Sequence, residues 1–223
     1  MSREHTMPAD IERTSMSIIA SELEQRHIVL PEEHLAVVKR VIHTTADFDY
    51  AENLHFTPEA VAKGVEAVKN RKIIITDTNM ARSGVSKPIL TKLGGEVRCY
   101  MAEPEIAALA REKQTTRAAV SMEEALRAHP DAILAVGNAP TALLTIADLM
   151  ERGARPSLVI GVPVGFVNVV ESKERIFEVC SRCNVPAIVA MGRKGGSTVA
   201  AAICNALLYT AADTLDPAAR GWQ

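Results

Sequence analysis

The chain has 223 residues, 48% of them hydrophobic and 23% charged, with 25 Lys and Arg against 27 Asp and Glu for a formal net charge of −2. That length suits one large domain, or one with a small appendage, and can bury a sizeable core without staples. The near-neutral balance excludes a global attraction to nucleic acid or to an anionic membrane, so a polyanion would have to be met by a local cluster of basic groups.

The first ten residues are polar and read as a loose tail without the apolar stretch of a signal peptide. No apolar run approaches the roughly 18 residues of a membrane span, so the expectation is a soluble, cytoplasmic protein. Met16, Ile19 and Leu23 recur at helical spacing and predict a helix over 11–24. Pro31 suits the first turn of a second helix, whose apolar stripe is Leu35, Val38 and Ile42 and whose last turns hold His43. Thr57 is the expected N-cap of a third. Short apolar runs then alternate with helical patterns: strands over 73–75, 97–100, 132–136, 158–160 and 187–190, helices over 86–93, 104–112, 121–128, 141–151, 172–183 and 197–211. Strands that are apolar on both faces and alternate with helices imply an α/β fold, a mostly parallel central sheet of about five strands with helices on both faces, preceded by N-terminal helices. The expected organisation is a single domain over 11–213 with tails over 1–10 and 214–223.

In such a sheet ligands bind beyond the carboxyl ends of the strands. Four segments there combine small and polar residues: Asp77 to Gly84, Gly137 to Thr141, Gly161 to Phe166, and Gly192 to Ser197. Glycines let backbone approach a ligand, and helix N-termini add N–H donors, so together these loops suggest an anion-binding rim. Each alone is a common tight turn, and Gly192 to Ser197 follows neither the P-loop nor the dinucleotide-binding pattern. A lone histidine near a helix C-terminus is commonly structural; Asp47, four residues beyond His43, would share its helical face if the helix persisted that far and would favour the imidazolium. No histidine pairs with Cys, Asp or Glu at metal-ligand spacing, so no metal is expected. Cys180 and Cys183 form a CxxC with no second ligand pair, read as chance spacing in a reduced protein. Arg13, Arg82, Lys87, Arg117, Lys173, Arg193 and Lys194 would ordinarily be solvated, although several lie in or beside the four loops.

Six segments taken in order resemble one family. They are Ile11-Glu12-Arg13-Thr14-Ser15-Met16-Ser17-Ile18-Ile19, with methionine where phenylalanine is common; Val41-Ile42-His43; Asp77-Thr78-Asn79-Met80 with Gly84-Val85; Gly137-Asn138-Ala139-Pro140-Thr141-Ala142-Leu143; Gly161-Val162-Pro163-Val164-Gly165-Phe166-Val167 followed by Glu171-Ser172-Lys173; and Gly192-Arg193-Lys194-Gly195-Gly196-Ser197. The chain is similar over nearly its whole length to the precorrin-8X methylmutases (precorrin isomerases).

The resemblance implies an isomerase of corrin biosynthesis that moves a methyl group from carbon 11 to the neighbouring carbon 12 of precorrin-8X or cobalt-precorrin-8, a 1,5-sigmatropic shift giving hydrogenobyrinate or its cobalt counterpart. It implies no cofactor and no methyl donor. It implies His43 as the proton donor and acceptor, Ser15 as a substrate hydrogen-bonding group, and a homodimer with the site near the subunit interface. Arg82, Arg117, Arg193 and Asn138 are the further candidates to meet the polycarboxylated tetrapyrrole. A non-catalytic corrinoid carrier is an alternative, as is a nucleotide- or S-adenosylmethionine-dependent transferase on a similar sheet.

Overall fold

Four of the apolar runs become central strands because each is short and buried on both faces. In this computed structural model, which describes residues 7–220, the chain forms α1 (Pro8–Gln25), α2 (Glu32–Thr45), α3 (Tyr50–Asn53), β1 (Leu54–Phe56), α4 (Ala60–Lys69), β2 (Ile74–Thr76), α5 (Asn79–Gly84), α6 (Lys87–Lys92), β3 (Val97–Arg98), α7 (Pro104–Glu112), α8 (Arg117–Ala128), β4 (Ile133–Val136), α9 (Pro140–Glu151), β5 (Leu158–Gly161), α10 (Val169–Arg182), β6 (Ala187–Ala190), α11 (Ser197–Ala211) and a closing 3-10 turn (Pro217–Arg220). Of the expected N-terminal tail, residues 1–6 lie outside the described part, and Pro8 to Asp10 belong to α1. Among the described residues no helix is long and apolar enough to cross a membrane.

One sheet has the order β1-β6-β5-β4-β2-β3. All its pairings are parallel except that of β1 with β6. Side chains alternate along each strand, which splits the core in two. Ile74, Ile133, Ile160 and Ile188 face α1, α2, α4 and α11, whereas Ile75, Leu134, Val159 and Val189 face α8, α9 and α10.

Two differences from the sequence reading bear on the site. The sheet has a sixth strand, β1, whose three residues with an exposed His55 at the centre are too short to show a period. Thr57 is not an N-cap: its hydroxyl accepts the backbone N–H of Ala187 at 2.8 Å, fastening the end of β1 to the start of β6, and α4 begins after Glu59 in a left-handed conformation.

Because β1 runs against β6, its first residue, Leu54, pairs with Ala190, the last residue of β6. The 46–53 connection therefore lies at the carboxyl edge of the parallel strands, and Met191 N–H bonds the Asn53 carbonyl there at 2.8 Å. This brings the C-terminal end of α2 to the side where ligands of such sheets bind.

Candidate functional site

α2 ends at Thr45, and Ala46 takes a left-handed conformation whose N–H closes on Ile42. That stop leaves His43 in the last helical turn. Ser15 lies midway along α1. Between the two helices lies a hollow of about 470 Å³ lined by both groups, together with Ile18, Ile19, Ile42 and Phe48. Ser15 donates its hydroxyl to the Ile11 carbonyl at 2.9 Å, so its oxygen keeps lone pairs for an incoming donor. Burial lowers the proton affinity of His43, and Arg40 and Arg220 lower it further against the opposing carboxylate of Glu12. The resting imidazole is neutral near pH 7, and its conjugate acid is a stronger proton donor than an ordinary histidine.

Asp47 does not share a helical face with His43, because α2 stops before it. Its carboxylate instead accepts from Lys194 Nζ at 2.6 Å, beside Asp49 at the same distance. This bond holds the carboxyl of Asp47 below its usual range and, with Asp49, raises Lys194. It also ties the connection after α2 to the loop after β6.

The chain runs outward from β2 to β3 and then crosses back to β4, so its direction of winding changes between β2 and β4. That switch point, the usual ligand crevice of such sheets, is built around one carboxylate. Asp77, fully buried, accepts the backbone N–H groups of Gly137, Asn138 and Ala139 at 2.9, 2.8 and 2.8 Å. Burial pushes its carboxyl up, against the pull of those three donors. The N–H groups of Gly165 and Gly196 are taken by the carbonyls of Arg193 and Val162. The expectation of free backbone donors along the rim therefore fails at these five positions, because the loops use them on one another.

Lys173 is the largest surprise among the basic residues. It is fully buried, and its Nζ donates to the carbonyls of Gly192 and Lys194, each at 2.8 Å; burial lowers it to about 8. The clue in the sequence was its place on the apolar stripe Val169, Ile176 and Val179 of α10. The sequence gives no such sign for Glu12, since Ile11 beside it is exposed, whereas Arg40 stands between buried Val38 and Val41; the two bond each other at 2.6 Å.

Ser15 and His43 are thus brought to one hollow. The other candidates are not in it. Arg82 is exposed on α5 and Asn138 on the turn after β4, both at the switch point. Arg117 opens α8 and lines a separate depression with Arg111 and Gln114, while its neighbour Thr116 bonds Thr141 at the start of α9. Arg193 is exposed and stacks its guanidinium 5.5 Å from the Phe166 ring. From β2 to β1 the carboxyl edge spans four strand spacings, or about 19 Å, so these side chains border one broad rim.

The model of the precorrin-8X methylmutase family matches residues 10–210. The chain belongs to the precorrin-8X methylmutase family. Membership makes it an enzyme, a methyl-migrating isomerase of cobalamin biosynthesis. It is 42% identical over 206 residues to the cobalt-precorrin-8 methylmutase of Salmonella typhimurium, covering 91% of this chain and 95% of that one. It is 40% identical over 201 residues to the protein of the same name from Priestia megaterium, covering 90% and 87%. The crystal structure of a precorrin-8X methylmutase from Thermus thermophilus superposes with a TM-score of 0.82 at 39% identity, covering 91% of this chain and 98% of that one. The mostly parallel sheet, its helices and the N-terminal pair are thus those of a methylmutase.

Proposed function

We propose that this methylmutase rearranges precorrin-8X or cobalt-precorrin-8, with His43 as the group that lends and recovers a proton. The observation that carries this reading is the shared hollow of Ser15 and His43 at the carboxyl edge of the sheet. The substrate brings many carboxylates, whose negative charge raises the proton affinity of a neighbouring imidazole. His43 is charged as the guest arrives and passes its proton to a nitrogen of the ring beside the migrating methyl. The methyl moves with its bonding pair from carbon 11 to carbon 12, and the imidazole is free to take the proton back. Ser15 bonds the macrocycle, and Arg82, Arg117, Arg193 and Asn138 meet its carboxylates along the rim. Arginine suits that task because its planar fork matches a carboxylate in two bonds.

The working unit is a homodimer with its interface near the site. Support comes from Met80, at the start of α5, and from Val164, Phe166 and Val167 on the loop after β5, which are 68%, 48%, 83% and 76% exposed. The setting is the cytoplasm, consistent with four free cysteines among the described residues.

The test is His43→Ala, followed by the visible spectrum as the chromophore changes on methyl migration. Turnover should fall by about 10²–10⁴-fold while the corrin product still binds tightly. Normal turnover would refute the assignment, and tight binding with no turnover by the unmodified protein would favour a corrinoid carrier.

A further inference from the structure

Glu12 and Arg40 are charged residues in a place where apolar ones would pack. Glu12 is 4% exposed and Arg40 9%. Arg40 Nη2 bonds Glu12 Oε1 at 2.6 Å, and Arg220 Nη2, from the closing 3-10 turn, reaches the same oxygen at 2.6 Å. Both guanidiniums lie over the ring of Tyr209 on α11, 5.0 and 4.3 Å from its centre. A buried ion cluster of this kind is poor evidence of stability, because desolvation consumes most of the attraction, but it defines geometry sharply.

The sequence positions say which geometry. Glu12 stands three residues before Ser15 on α1, and Arg40 stands three residues before His43 on α2. Three residues is nearly one helical turn, so each member of the ion pair is the same-face neighbour of one site group. The link crosses from helix to helix beside the hollow, one turn before Ser15 on α1 and one turn before His43 on α2. A slip of α1 along α2 would break it and would change the spacing of Ser15 and His43 at the same time.

We propose that the Glu12–Arg40 pair, closed by Arg220, is a positioning device that locks the register of α1 on α2 and so holds Ser15 and His43 at their working separation. The C-terminal segment then serves the reaction without touching the substrate. This rests on the assignment of Ser15 and His43 to the substrate. The same cluster governs the charge of His43: Glu12 favours the imidazolium, whereas Arg40 and Arg220 oppose it. The other charged groups facing the hollow, Glu22 and Arg26 of α1, are paired with each other at 3.3 Å.

The experiment uses the full chain with Glu12→Gln, Arg40→Met and Arg40→Lys. Folding is followed by circular dichroism, turnover by absorbance, and the titration of His43 by NMR of its imidazole. Glu12→Gln should cut kcat by more than about ten-fold with a much smaller change in KM, the pattern of lost alignment rather than lost binding. The midpoint of His43 should fall in Glu12→Gln and rise in Arg40→Met, opposite shifts that general loosening would not produce. Arg40→Lys keeps the charge but not the planar fork. It should leave the midpoint in place and still lower kcat several-fold, and it decides the matter if the charge-removing variants do not fold. Wild-type kcat in Arg40→Lys or in folded Glu12→Gln, or a His43 midpoint that does not move in opposite directions, overturns the proposal. Normal turnover by His43→Ala would instead overturn the assignment on which it rests.

Discussion

Two neighbouring glycines in the loop after β6 ask for glycine for different reasons. Gly192 has φ +74° with nothing within 4 Å of a built Cβ, so a side chain there meets only backbone strain. A Cβ at Gly195 would stand 2.1 Å from the Val162 carbonyl oxygen and 2.7 Å from that of Pro163, where the loops after β5 and β6 touch. Gly192→Ala should cost about 1 kcal/mol and lower Tm by roughly 2–4 °C. Gly195→Ala must push backbone aside and should cost more than about 4 kcal/mol, a fall beyond about 10 °C in a thermal scan. Equal shifts would show that the two loops are not in contact. Asp77→Ala strands three backbone donors of the turn after β4, each worth about 1–3 kcal/mol when left without a partner; urea unfolding should report a loss of about 3 kcal/mol or more. These residues mark the limit of legibility in the sequence. Asp77 and Gly137 were visible as loop residues after strands, but a pattern cannot say whether a loop's N–H groups are free or spent. Here the loops satisfy one another, which only the fold reveals.

At the scale of elements, the long periodic segments were the legible ones. The apolar patterns of 197–211 and 104–112 match α11 and α7 residue for residue: α11 is buried on nearly every side, and α7 lays Ile106 and Ala110 against Val120. The failures are short. β1 is three residues long, and α5 is a six-residue helix whose cap, Thr78, bonds both Ala81 N–H and the Ser197 hydroxyl. Such pieces exist because of what they dock on. The hairpin of α1 and α2 carries a pH signature. The fold lowers the proton affinity of His43 and of His34, in each case chiefly by burial, from an ordinary value of 6.5. Just below that pH the unfolded chain binds more protons than the folded one, so stability falls as pH falls through the window beneath 6.5. The carboxylates held below their usual range, Glu12 and Asp47 among them, add their loss only in more acid solution. The urea midpoint should therefore be lower at about pH 5.5 than at about pH 7.5, and His43→Gln should flatten the slope. An unchanged slope would mean that His43 is not buried as described.

Across the whole molecule, the strand order divides the work. The parallel strands β2, β4, β5 and β6 raise four loops on one edge, and those loops stiffen one another through Asp77, Lys173 and the carbonyl of Val162. His43, the group proposed to lend the proton, does not come from any of them. It arrives on α2, delivered by the one strand that runs the other way. That reversal leaves the α1–α2 hairpin as a preface to the parallel scaffold, fastened to it by Lys194 across to Asp47 and Asp49 and by the apolar face of α11. A change in the length or tilt of that hairpin would leave every strand pairing of the sheet in register, because neither helix is part of the ladder.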